Sequence, residues 1–146
     1  MEEKKHLLEQ LHEIQNADDK HYLPKEKVVE LAKKHGYDLA QVYGVETFYT
    51  MYSTKPRGKY IIRICENQSC HMANSKKLIR HIENTLNISV GETTEDGYFT
   101  LELSSCLGMC SVSPAMMIDE VPYGNLTEDR IDEILATYKE DNNEIL

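Results

Sequence analysis

The sequence predicts an α+β protein, with a small helical bundle over residues 1–56 followed by a domain over 57–146 whose elements run β-α-β and then β-β-α. Three observations carry that prediction. Apolar residues recur at helical spacing through the first fifty or so positions. The stretch STKPRGK, 53–59, then breaks the pattern with Pro56 and Gly58. Beyond it, short runs with the texture of strands alternate with helical ones.

Leu7, Leu8, Leu11 and Ile14 form one apolar stripe on an otherwise charged first helix. A second helix is expected from Pro24, carrying Val28, Val29, Leu31 and Ala32, and stopping at Gly36. Asp38 is read as the cap of a third short helix, and Val45 to Tyr52 (VETFYTMY) as a fourth. After the break, Tyr60, Ile61, Ile62 and Ile64 make a short strand running into Cys65. Asn74 to Leu86 turns helical again, with Leu78, Ile79, Ile82 and Leu86 on one side. Phe99, Leu101 and Leu103 alternate with Thr100, Glu102 and Ser104, the pattern of a half-buried strand that delivers Cys106. Ala115 to Ile118 reads as a compact strand, VPYGN as a turn or a second short strand, and Thr127 as the cap of a last helix. Ile131, Ile134, Leu135 and Tyr138 give that helix its buried stripe, and Asp141 to Leu146 is expected to fray.

Sixteen Lys and Arg against twenty-five Asp and Glu leave a net charge of −9, which argues against nucleic acid or anionic lipid as the main partner. The N-terminus lacks the apolar run of a signal peptide, and no apolar stretch approaches the length of a membrane span. A cytoplasmic protein is expected, where a reducing thiol pool works against structural disulfides. At this length a core forms without staples, so stability does not require the cysteines.

The four cysteines fall as Cys65-x4-Cys70 and Cys106-x3-Cys110, each pair just past a predicted strand. If those strands are neighbours in one sheet, both loops leave the same edge and the four sulfurs can converge. Four thiolates suit zinc, whose usual knuckles have two residues between ligands. They also suit a 2Fe-2S cluster, which needs more room and is known with an x4 pair. The spacing favours iron-sulfur and leaves zinc open. Neither pair has the C-x-x-C of a redox dithiol. Gly108 permits a close backbone approach, and Ser69, Ser104, Ser105 and Ser111 fit loops whose amides can donate to sulfur, although loops favour such residues in any case. His71, beside Cys70, is read as opening the following helix and not as a fifth ligand.

The segments VYGVETFYTMYSTKPRGKYIIRICENQSCHMANS and CLGMCSVSPAMMIDEVPYGNLTEDRIDEIL closely resemble the thioredoxin-like 2Fe-2S subunit of NADH:quinone oxidoreductase, NAD-dependent formate dehydrogenases and multi-subunit iron hydrogenases. The likeness runs from about Leu7 to Tyr138. It implies Cys65, Cys70, Cys106 and Cys110 as ligands of one 2Fe-2S cluster, and a thioredoxin-like domain behind a helical lobe. It implies a one-electron carrier with no catalytic residues and no turnover in the isolated chain. The implied partners are a flavoprotein subunit carrying FMN, an NAD(H) site and its own iron-sulfur cluster, and a further iron-sulfur or catalytic subunit. Consistent with that, this chain has no G-x-G-x-x-G after a strand. The alternative is a zinc-stabilised cysteine module serving structure or interaction.

The likeness also suggests a cis peptide bond before Pro114. One departure is Ser111, where glycine often follows the last cysteine. Lys55, Arg57 and Lys59 either offset cluster charge or form a solvated loop. Tyr43 to Tyr52 is either a docking surface or, through Val45, Phe48 and Tyr52, a seam between the lobes.

Overall fold

The computed structural model describes residues 6–140, and the chain divides between Lys59 and Tyr60 into two compact units. The expected fraying of 141–146 lies outside the described residues. In the first unit, local chemistry sets the helix ends. Helix α1 spans Leu7–Asn16, and the Glu9 carboxylate reaches back to accept the His6 backbone N–H at 3.1 Å. Helix α2, Lys25–His35, follows Pro24 and ends at Gly36, whose φ of 71° closes the helix in the left-handed conformation. Helix α3, Leu39–Phe48, starts where the Asp38 carboxylate accepts the Ala40 N–H at 2.8 Å.

The two helices expected over 38–52 are one. Gly44 sits inside α3 with open space around it. A helical glycine costs about 1 kcal/mol relative to alanine, a weakening and not a stop. The helix ends instead at Phe48, because Tyr49 turns extended. That turn lets the Tyr52 hydroxyl donate to Leu8 O at 2.8 Å, and lets the Gln15 side chain hold Met51 O and Ser53 N, each at 2.9 Å. Leu11, Leu23, Val28, Ala32, Val42 and Tyr52 form this unit's core. Leu8 leaves the expected stripe and is 38% exposed, while Gln10 and Gln15 are buried beside Leu11. Arg57 is also no solvated loop residue. It is buried, with its Nε donating to His21 O at 2.7 Å and its N–H to Lys20 O at 2.8 Å.

The second unit is built on a four-stranded sheet. Strand β1 is Tyr60–Cys65, β2 Phe99–Ser104, β3 Met116–Ile118 and β4 Val121–Tyr123, in the spatial order β2-β1-β3-β4. Strands β1 and β2 are parallel, and the other two pairings are antiparallel. Between β1 and β2 the chain forms a single-turn helix α4, Gln68–Met72, and helix α5, Ser75–Leu86; helix α6, Glu128–Glu140, follows the sheet. Leu78, Ile82 and Leu86 of α5 and Ile131 and Leu135 of α6 pack on Ile62, Ile64, Leu101, Met116 and Ile118. Full burial of each such side chain contributes roughly 1.5–3 kcal/mol. As expected, Thr127 Oγ1 caps α6, accepting the Arg130 N–H at 3.2 Å.

The expected alternation along β2 fails at two places. Thr100 is buried, since its hydroxyl pairs with Thr93 at 2.8 Å where the preceding loop folds back along the strand. The same loop joins Gly91 N–H to Leu101 O and Leu101 N–H to Glu92 O, so the outer edge of β2 is covered. Leu103, one residue before the strand ends, is 37% exposed. Among the described residues no helix is long and apolar enough to cross a membrane.

Candidate metal centre

The parallel register aligns Cys65 with Ser104. Both strands therefore end at one edge of the sheet, and the loops bearing Cys70 and Cys106 leave it side by side. This is the arrangement the spacing anticipated. The Cys65 Sγ–H donates to Ser105 O at 3.3 Å, joining the loops directly. Strand β3 approaches from the other flank, where the Cys65 N–H donates to Ala115 O at 3.1 Å. Cys65, Cys70 and Ala115 are buried together, with Leu107 and Met109 packed over them.

Cys70 does not sit in an open loop. Asn67 Oδ1 accepts the Gln68 N–H at 2.8 Å and starts α4, which carries Cys70 inward to 2% exposure. Asn67 as a helix-starting residue was the available signal in ENQSC, but five residues give no periodicity to read. His71 lies in the last turn of α4 and does not open α5. Cys106 and Cys110 are exposed. Cys110 begins a short 3-10 turn, Cys110–Val112, and Gly108 between the two cysteines has φ of 73°. Ser111 is not at a positive φ, so the absent glycine at that position costs no backbone strain.

Ser113, which the sequence did not single out, connects the two pairs. Its hydroxyl accepts from Cys70 Sγ at 3.6 Å and donates to Cys110 O at 2.8 Å. The peptide bond from Ser113 to Pro114 is cis. Leu126 N–H donates to Pro114 O and Asn125 N–H to Val112 O, at 3.1 and 2.6 Å, pinning the strand after the turn.

Burial pushes the Cys65 thiol up, with the Asn67 and Leu107 backbone N–H groups pulling the other way and the Cys70 thiol adding to the rise. Gly108 N–H donates to Cys106 Sγ at 3.4 Å. All four cysteines are free thiols. Among the described residues no three His, Cys, Asp or Glu side chains stand close enough to hold a metal ion. The backbone thus brings the two pairs to one edge, while the side chains of Cys106 and Cys110 face outward. The donor set, four thiols with the Gly108 amide donating to one of the sulfurs, fits a cluster bound through thiolate.

The family model for thioredoxin-like [2Fe-2S] ferredoxin matches residues 1–139. Among curated relatives, an NADH-quinone oxidoreductase subunit of Rhizobium meliloti (strain 1021) is 39% identical over 118 residues, covering 81% of this chain and 70% of that protein. NADP-reducing hydrogenase subunit HndA of Solidesulfovibrio fructosivorans is 37% identical over 133 residues, covering 91% and 77%. In fold, the chain resembles a crystal structure of an NAD+-reducing [NiFe]-hydrogenase in the air-oxidized state, with a TM-score of 0.78 at 22% identity. That alignment covers 92% of this chain and 23% of the hydrogenase chain. With two thiol pairs at one sheet edge and a family match over nearly all its length, the chain belongs to the thioredoxin-like [2Fe-2S] ferredoxin family.

Proposed function

We propose that this chain is a one-electron carrier subunit of a multi-subunit NAD(H)-linked flavin oxidoreductase, and that Cys65, Cys70, Cys106 and Cys110 hold one 2Fe-2S cluster. The observation that carries the reading is the parallel register of Cys65 with Ser104, which delivers both cysteine pairs to one edge of the sheet. A 2Fe-2S cluster bound there supplies storage for a single electron. The chain's own residues do the rest. Cys65 and Cys70 anchor the inner side, where Leu107, Met109 and Ala115 limit water. The backbone of Asn67 and Leu107 opposes the burial that raises the Cys65 thiol, and the Gly108 N–H donates to Cys106 Sγ. Cys106 and Cys110 lie on the exposed side, where a partner's redox centre approaches.

Relatives that are subunits of an NADH-quinone oxidoreductase and of an NADP-reducing hydrogenase support a flavoprotein partner with FMN, an NAD(H) site and its own cluster. Tyr43 and Phe48, 63% and 77% exposed, give α3 an aromatic surface of the kind interface cores favour. Val45 and Tyr52, by contrast, pack into the helical lobe's own core. The fold is thus read as a helical lobe over 1–56 that docks and a domain over 57–146 that carries the electron.

The test is anaerobic purification followed by a visible spectrum, iron, sulfide and zinc analysis, and electron paramagnetic resonance before and after dithionite. The reading expects about two irons and two sulfides per chain and a spin-half signal only on reduction. One zinc and no visible absorbance would overturn it in favour of a structural cysteine module.

A further inference from the structure

Helix α5 begins at the edge of the sheet where the cysteine loops emerge. Strands β1 and β2 are parallel, so the connection between them must carry the chain back to the opposite edge before β2 starts. Ser75 therefore stands at the Cys65 end of the sheet and Leu86 at the far end.

Two things about that helix start lack partners. Ser75 is 1% exposed, and its Oγ has no hydrogen-bond partner. A buried hydroxyl left in that state is costly, because it has given up water without gaining a partner. The N-cap residue Asn74, in the left-handed conformation, makes no side-chain cap bond. The positive end of a twelve-residue helix thus lies at the edge where the two cysteine loops emerge.

We propose that the Ser75 hydroxyl, with the first turn of α5, donates a hydrogen bond to sulfur of the cluster held by Cys65, Cys70, Cys106 and Cys110 and stabilises the reduced state; this rests on the reading of the site given above. One added electron makes the formal cluster charge more negative by one, and every N–H or O–H donor to sulfur gains strength as that charge grows. Ser75 is a tuning residue: it ligates no iron, and its hydroxyl keeps its proton in both states. The partner missing from Ser75 Oγ is the group the family binds.

The experiment is a redox titration of the reconstituted full-length chain, followed by electron paramagnetic resonance, for wild type, Ser75→Ala, Ser75→Gly and Ser75→Thr. Loss of the hydroxyl is expected to lower the ratio of reduced to oxidised cluster about tenfold at a fixed ambient potential, a negative shift of about 59 mV for one electron. Ser75→Thr, which keeps the hydroxyl, is expected to titrate with wild type. Ser75→Ala or Ser75→Gly carrying a full cluster at the wild-type potential would overturn the inference while leaving the site assignment standing. Loss of the cluster from both deletion variants, with wild type and Ser75→Thr loaded, supports it. Wild type that takes up no 2Fe-2S cluster would overturn the site assignment, and the inference with it.

Discussion

A Cβ atom on Gly124 would lie 2.5 Å from Val112 Cγ2, 2.7 Å from Val112 Cβ and 2.9 Å from Val112 O. The start of the segment into α6 is thus pressed against the turn that carries Cys110. The Val112 carbonyl cannot easily swing away, because it accepts the Asn125 N–H at 2.6 Å. Gly124→Ala is expected to displace that turn, at a cost typical of overpacking, about 1–3 kcal/mol. The check is cluster content per chain after reconstitution together with the melting temperature. An alanine variant that loads fully and melts with wild type would contradict the close packing.

Leu101 and Leu103 separate the observed burial of β2 from the simple alternation. Leu101 is fully buried in the sheet core, and Leu103 is 37% exposed. Leu101→Ala is expected to cost about 2–5 kcal/mol in urea unfolding. Leu103→Ala should cost well under half as much. Equal losses would mean that the strand buries both.

Glu46 lies on α3 in the helical lobe, 9% exposed, and burial raises its carboxyl above the ordinary 4.5. A raised folded value gives stability that is fully present below the unfolded pKa and is lost as pH climbs through the folded one. Glu46→Gln is therefore expected to raise the melting temperature at pH 7 and to match wild type near pH 4. Thermal melts across that range decide it, and a variant less stable than wild type at pH 7 would show that the ionised carboxylate is favoured.

Asp96 has the opposite sign. The Thr94 hydroxyl bonds its carboxylate, outweighing the effect of burial, and the Tyr98 N–H and the Lys139 charge add to the lowering from 3.8. Its contribution is complete above the unfolded value and is lost as pH falls through the folded one. Asp96→Asn should weaken the domain at neutral pH and flatten its acid melting curve below about pH 4. An unchanged acid limb would place the acid sensitivity elsewhere.

The parts of this molecule that were legible in the sequence are those in which a residue's local chemistry decides its role. Gly36, Asp38 and Thr127 mark helix ends because their backbone or side chain can do little else there. The two cysteine pairs were legible because strands end in front of them. Long-range partners were not. The burial of Thr100 depends on Thr93 folding back across β2, and Arg57 is committed by the backbone oxygens of Lys20 and His21. The run Val45 to Tyr52 read as a helix of its own, because its apolar and aromatic texture is visible in sequence and its continuity with the helix capped by Asp38 is not. Helix α4 was too short for any periodicity, and it places Cys70.

The bond from Cys65 to Ser105 spans forty residues of chain. During synthesis at about 5–20 residues per second, those residues take roughly 2–8 s to appear. For that interval the growing polypeptide offers the pair Cys65 and Cys70 and nothing opposite it. On the proposed assignment of Cys65, Cys70, Cys106 and Cys110, the two pairs share one edge only after β2 has docked in parallel beside β1, which makes readiness for iron a certificate that the topology has closed. A nascent or truncated chain cannot present it.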